Sequence, residues 1–180
     1  MSTSRTHALF TPRLRLTPAG SDDVELLAGM HDAPGLVEAA RTERVRALVA
    51  ENAERFPRHG YGLWVVRAGS EAVGWVALRP RETELEPELL YGLAREGRGK
   101  GFASEAASAV LDRLFMTPDV TGAWAVTDPT NLASCRVLER LGLELEFEGE
   151  FDGRPSRVYR IKRDRWRDTH RVPAHGARRR

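Results

Sequence analysis

Between a strand-like run, Glu88 to Leu93, and an amphipathic helix, the chain places glycines at 97, 99 and 101 around two cations, Arg98 and Lys100. Glycine turns through φ > 0 at no steric cost and lets backbone approach a ligand closely, so successive N–H groups can face one concavity. Ala103, Ala106, Ala107, Val110, Leu111 and Leu114 then recur at the spacing of a helix with one buried face. The first N–H groups of that helix lack intrahelical partners, and its dipole favours negative charge at the same end. Residues 97–105 therefore read as an anion cradle of the size of a phosphate. The run lacks the Gly-Lys-Ser/Thr ending of a nucleotide-triphosphate loop. It also lacks a Gly-x-Gly-x-x-Gly opening a βαβ unit near the N-terminus, so nucleoside triphosphatase and dinucleotide chemistry are both disfavoured.

With 180 residues, 41% of them hydrophobic, the chain can fill one core but not two ordinary domains. One cysteine, Cys135, rules out an internal disulfide framework and a cysteine-rich zinc site, and suits a reducing compartment. It reads as a small buried apolar residue rather than a nucleophile, because no His lies near it in sequence. The five His show no ligand spacing, so no metal site is expected. Residues 1–20 lack the 7–15-residue apolar core of a signal peptide, and no apolar run reaches 18 residues. The expectation is a cytoplasmic protein with no membrane partner. Residues 154–180 hold ten Arg and one Lys against Asp164 and Asp168, a charge of +9, while the first 153 residues carry −7. The closing Arg178-Arg179-Arg180, near Pro173 and Gly176, reads as a solvated tail, and without regularly interleaved aromatics in the basic segment a nucleic-acid partner is disfavoured.

In order, the chain predicts a strand at 9–16 and a helix from Ser21-Asp22-Asp23 to His31-Asp32, where Pro34-Gly35 breaks it. A second helical region spans 36–56, its inner face made by Val37, Ala40, Val45, Leu48, Val49 and Phe56, with Pro57 ending it. A hairpin of 61–67 and 72–78 follows, then strands at 86–94 and 120–126 on either side of a helix at 102–115. Asp128 to Asn131 offer caps for a helix that Gly142 stops, and two last strands, 143–151 and 156–161, meet at Asp152-Gly153. This order describes a mixed α/β sheet with one parallel crossover over 86–126.

The octet Arg98–Glu105 resembles the Arg/Gln-x-x-Gly-x-Gly/Ala signature of the GNAT acetyltransferase superfamily through Arg98, Gly101 and Ala103. The block from Asn131 through Ser134, Arg136, Val137, Leu138, Glu139, Leu141 and Gly142 is similar to one in the branch containing the ribosomal-protein N-terminal (alanine/serine) acetyltransferases. Two motifs in the right order, about 30 residues apart, each at a strand-to-helix junction, are more specific than either alone. Thr11 to Leu16, the strand holding Trp64, and Arg157-Val158-Tyr159 also look like that branch.

The resemblance implies a single-domain GNAT fold: a mixed, mostly antiparallel sheet of about seven strands and about four helices, with a splayed parallel pair at the cofactor site. It divides the chain into a flexible N-terminus (1–8), an acyl-CoA N-acyltransferase domain (9–166) and a basic tail (167–180). It implies acetyl-CoA as donor and an amine as acceptor, either a protein or peptide N-terminus or a small amine such as an antibiotic. A homodimer is compatible with it, and a catalytically silent acyl-CoA-binding domain is the rival reading. The implied cofactor contacts are Leu90, Tyr91, Gly92 and Leu93 on the strand, Arg98, Gly99, Lys100, Gly101, Phe102, Ala103 and Ser104 in the loop and helix start, and Asn131 and Ser134. Carbonyl polarisation is expected from an amide near Leu90–Gly92 freed by a β-bulge, with which Gly92 is compatible. Glu88 stands where the branch often has a base, with Glu86 one strand period away as alternative. Leu138 stands where many relatives carry the Tyr that protonates the thiolate; Ser134, one helical turn earlier, offers a hydroxyl in the same region.

Overall fold

Trp64 and Val66 turn to one side of their strand and Val65 to the other, and all three are fully buried, so the sheet must be covered on both faces. In the computed structural model, which describes residues 7–30, 38–80 and 85–170, helices supply that cover. The strands are β1 (Leu9–Phe10), β2 (Arg15–Pro18), β3 (Leu63–Ala68), β4 (Glu71–Arg79), β5 (Glu88–Leu93), β6 (Gly122–Thr127), β7 (Glu144–Phe151) and β8 (Arg154–Lys162). They form one sheet in the order β1-β2-β3-β4-β5-β6-β8-β7, antiparallel except at β5/β6. The helices are α1 (Val24–Met30), α2 (Glu38–His59), α3 (Phe102–Leu114), α4 (Leu132–Arg140) and α5 (Arg163–Thr169). Val24, Leu27, Val45 and Val49 of α1 and α2 pack with Val65 on one face. Val110, Leu111 and Leu114 of α3, Leu138 of α4 and Trp166 of α5 pack with Trp64, Val66 and Leu89 on the other. This is the expected fold class, with, among the described residues, eight strands for about seven and five helices for about four.

Several local expectations change. Residues 9–16 are two short strands in a hairpin, Leu9 opposite Leu16, because Thr11 folds the intervening turn by accepting the Leu14 N–H on its hydroxyl. Helix α1 is entered through a 3₁₀ turn at Ser21–Asp23, whose Asp23 carboxylate accepts the Gly20 N–H. Pro57 lies inside the last turn of α2 instead of ending it. The Gly60 N–H closes that turn on the Phe56 carbonyl. Ala40 is exposed, whereas Asn52, not expected inside, is buried and ties α2 to Ala19 and Leu63 through three hydrogen bonds. Helix α5 shows that 167–169, assigned to the tail, continue the folded unit: Trp166 is buried, bonds Asp112 and stacks on His170. The break at Pro34-Gly35, the placement of Val37, residues 1–6 and the tail from 171 onward lie outside the described residues.

Candidate active site

At the carboxyl end of β5 a 3₁₀ turn, Arg95–Gly97, leads into the glycine loop and α3. Gly99 and Gly101 both adopt the left-handed conformation, φ 75° and 80°, and Gly101 caps α3. The first helical bond runs from the Glu105 N–H to the Gly101 carbonyl, which leaves the N–H groups of Phe102, Ala103 and Ser104 without intrahelical acceptors. Ser104 Oγ is buried there with no hydrogen-bond partner. Three free amides, an unpartnered hydroxyl and neighbouring cations make a donor set suited to a pyrophosphate.

The sequence motif does not reveal what holds this loop. Arg13, in the β1–β2 turn, donates through Nη1 to the Lys100 carbonyl (2.9 Å) and through Nε to Glu105 (2.7 Å), with its guanidinium 5.0 Å from the Phe102 ring centre. Glu105 also accepts from the Thr11 hydroxyl and the Arg13 N–H. Burial works to raise its pKa, but the Thr11 and Arg13 bonds and the Arg13 charge outweigh it and hold the carboxyl below its ordinary value. The only sequence signal was an acid in the first helical turn and a cation beside Pro12, 92 positions apart. Arg98 turns its Nε back onto the Leu93 carbonyl, anchoring the loop to the strand end.

Beyond the cradle, β5 and β6 part. Glu88 and Trp124 are the one register pair between them, so the strands diverge toward their carboxyl ends. The Ala94 N–H donates to Val73 on β4, and the two-residue period of an antiparallel ladder then turns the amides of Leu90 and Gly92 to β4 and those of Tyr91 and Leu93 into the gap. The expected bulge is absent, since β4 and β5 keep continuous register from Arg79↔Glu88 to Gly74↔Leu93. Divergence of β6 frees the amides instead. Gly92 is required for another reason: a Cβ there would lie 2.7 Å from Trp75 Nε1, because the indole of Trp75 lies on this residue. The gap is a cleft of about 120 Å³ lined by Leu89, Tyr91, Ala125, Ser134 and Leu138, with Trp75 and Leu90 at its side.

Within the cleft, Ser134 sits at the start of α4. Its N–H is accepted by the Asn131 side chain (3.1 Å), so Asn131 is the helix N-cap, and its Oγ makes no hydrogen bond among the described residues. The Tyr91 phenol crosses the cleft and donates to the Ser134 carbonyl (3.3 Å), and burial, partly offset by that bond, raises its pKa to about 12. Leu138 is core, 1% exposed. Cys135 is buried beneath the Arg157 guanidinium, whose Nη1 lies 3.7 Å from Sγ.

The two acids separate. Glu88 is buried, 5% exposed, and accepts from Arg79 Nη2 at 2.7 Å. As the register partner of Arg79 it belongs to the α1/α2 face, with Leu90 and Gly92. Glu86 precedes β5 and has other partners: its carboxylate accepts from Arg160 (2.9 Å), Lys162 and Thr121 on β8 and at the entry to β6. Burial works to raise the Glu86 pKa, and Lys162 and Arg160 outweigh it, leaving a carboxyl held below its usual range and poorly suited to accept a proton. Among the described residues no cluster of His, Cys, Asp and Glu could hold a metal, and no helix is long and apolar enough to cross a membrane.

Comparison with known proteins agrees with this geometry. Residues 13–144 match the model of the acetyltransferase (GNAT) domain. The chain is 29% identical to the uncharacterized protein YkkB of Bacillus subtilis over 163 residues, 86% of this chain and 95% of that one. Among solved structures it superposes on the ribosomal-protein-S5-alanine acetyltransferase of Vibrio fischeri with a TM-score of 0.72 at 19% identity, over 88% of this chain and 98% of that chain. It superposes on Mycobacterium smegmatis RimJ, in complex with CoA-disulfide, with a TM-score of 0.68 at 20% identity, covering 93% and 88%.

Proposed function

Since the chain belongs to the GNAT acetyltransferase family and is an acetyl-CoA-dependent N-acetyltransferase, we propose that it transfers acetyl to a primary amine by direct attack in a ternary complex, with the cradle and the β5/β6 cleft as the donor site. One observation carries this reading: the cleft beside β5, the strand that leads into the cradle, has a side wall, Trp75 and Leu90, shared with a cavity on the α1/α2 face, so donor and acceptor can meet across β5. Bound acetyl-CoA supplies the thioester and the thiolate leaving group. The loop residues Arg98 to Ser104 hold its pyrophosphate, and Asn131 orients the start of α4 beside it. The amides of Tyr91 and Leu93, aimed into the gap, polarise the thioester carbonyl.

As the N–C bond forms and the C–S bond breaks, the amine gives up one proton and the thiolate takes one. Glu88 receives the first, through a water that passes Arg79. For the second, Leu138 has nothing to donate. The Tyr91 phenol supplies it, while the Ser134 hydroxyl donates a hydrogen bond to the sulfur, an interaction stronger in the transition state than in the ground state. A second reading of Glu88 is favoured by its ion pair: it fixes Arg79 and acts by positioning. The ribosomal-protein acetyltransferase branch that the sequence resembles suggests a peptide or protein α-amine as acceptor, with free amino acids and other small amines as the alternatives.

The test mixes the full chain with acetyl-CoA and a panel of N-terminal peptides, amino acids, polyamines and aminoglycosides, and follows release of free CoA thiol. Thiol release with any acceptor supports the transferase. Tight CoA binding with none released replaces it with a silent acyl-CoA-binding domain.

A further inference from the structure

A cavity of about 180 Å³ lies between α1, α2 and the sheet, its apolar wall made by Leu27, Leu48, Trp75 and Leu90. Three arginines, Arg44, Arg55 and Arg79, line it, and among the described residues no acidic side chain does. Two of the three are engaged: Arg55 with Glu51 one helical turn back, and Arg79 with Glu88 behind the wall. Arg44 is exposed at the rim with no partner among the described residues, and on Arg79, whose side chain is 42% exposed, Nε is buried with no hydrogen-bond partner. A buried guanidinium N–H without an acceptor is costly unless a ligand provides one. The charge of the wall also selects among amines. An acceptor carrying only ammonium groups meets the uncompensated Arg44 charge and no carboxylate among the described lining residues, whereas one that also carries an anion is drawn in and can take a two-pronged contact from a guanidinium.

We infer that the acceptor is a primary amine that also carries a carboxylate, the carboxylate held by Arg44 and Arg79 and the amine directed past Trp75 and Leu90 to the donor cleft. This rests on the transferase reading above and narrows it: polyamines and aminoglycosides fit the cavity poorly. The carboxylate can belong to a free amino acid or to an acidic residue beside a peptide's N-terminus, and one experiment separates these sources.

Saturation kinetics on the full chain, at saturating acetyl-CoA, compare leucine with leucinamide, the peptide Ala-Asp-Ala-Ala with Ala-Asn-Ala-Ala, and both pairs with spermidine. Charge-assisted hydrogen bonds to a carboxylate predict that in at least one pair the acid has a kcat/KM higher by about tenfold, with spermidine poorest. Amidation makes the leucine amine less basic, which favours the neutral member, so a preference for the acid cannot come from amine basicity. Arg44→Gln moves the ratio toward parity and Arg44→Lys restores part of it; Arg79→Gln, checked for folding by thermal unfolding, does the same. Ratios at or below one in both pairs overturn the inference, as does a preference that survives both glutamine variants. Turnover of spermidine or of the neutral members without preference leaves the transferase standing and removes only the carboxylate. No turnover with any amine despite CoA binding removes both.

Discussion

Gly101→Val tests the cradle through backbone strain. Gly101 adopts φ 80° and ψ 5°, and a Cβ built there meets only Arg13 Nη2 at 3.4 Å, an ordinary contact. The cost is therefore conformational: an L-residue in the left-handed region loses about 1–2 kcal/mol, and a β-branched one is stiffer still. The chain can escape by rotating the 101–102 peptide, which swings the Phe102 N–H out of the concavity. That strain corresponds to an occupancy of the binding-competent loop reduced by about 5–30-fold, so the CoA dissociation constant should rise by about tenfold or more. Titration calorimetry with CoA measures it, and thermal unfolding confirms that the variant is folded. Gly101→Asn is the control, because Asn tolerates this conformation and should recover most of the affinity. A folded valine variant binding CoA within about twofold of the parent would refute the argument, as would an asparagine variant equally impaired.

Three further outcomes are expected. Glu88→Gln should lower kcat/KM by about 10²–10⁴-fold near neutral pH and by less at high pH, where more of the amine is already deprotonated; an equal loss at every pH assigns Glu88 to positioning Arg79 instead. Tyr91→Phe should lower kcat by about 10²-fold with acetyl-CoA KM little changed, and Ser134→Ala by a smaller factor, about tenfold, without a shift in thermal midpoint because its hydroxyl makes no hydrogen bond among the described residues. The Glu105 carboxyl titrates below its ordinary value in the folded chain, so its contribution, about 1 kcal/mol, is fully present above the unfolded pKa and is lost as pH falls through the lowered folded one. The stability gap between the parent and Glu105→Gln should therefore close in acid, and a gap constant across that range removes the Arg13–Glu105 contact from the account.

Where a structural decision is local, the sequence carries it. Asp152 and Gly153, at φ 51° and 73°, fold the hairpin their dipeptide predicts, and Gly142, at φ 83°, stops α4. The α3 spacing likewise gives its length to within one residue. Misreadings fall where a weak local signal meets a tertiary partner. Pro57 breaks helices, but in a last turn its missing N–H and its clash with the preceding turn matter less than the seating of Phe56 against Trp64, ring centres 4.8 Å apart. The end of helix α5, 167–169, reads as charged tail because the helix has one apolar anchor, Trp166, whose indole N–H is accepted by Asp112, 54 positions earlier.

The candidate site divides along the same line. Its anion-binding half is a matter of backbone conformation, which glycine spacing and a helix start encode within a few residues, so the cradle is legible. Its acid–base half depends on which charges stand one strand away, and sequence distance says nothing about that. Glu86 and Glu88 are equivalent in a strand pattern, yet Arg160 and Lys162 of β8 bind the first while Arg79 of β4 pairs the second. Gly92 makes the same point for geometry: its spacing permitted a bulge, and the Trp75 ring lying on it explains the glycine without one. What frees the Tyr91 and Leu93 amides is the departure of β6 after a single register pair, a property of how two strands are packed from either side rather than of either strand's residues. The proposed chemistry thus depends on sheet topology at the point where the ladder opens, and it draws its proton donor, Tyr91, from β5 because α4 offers Leu138.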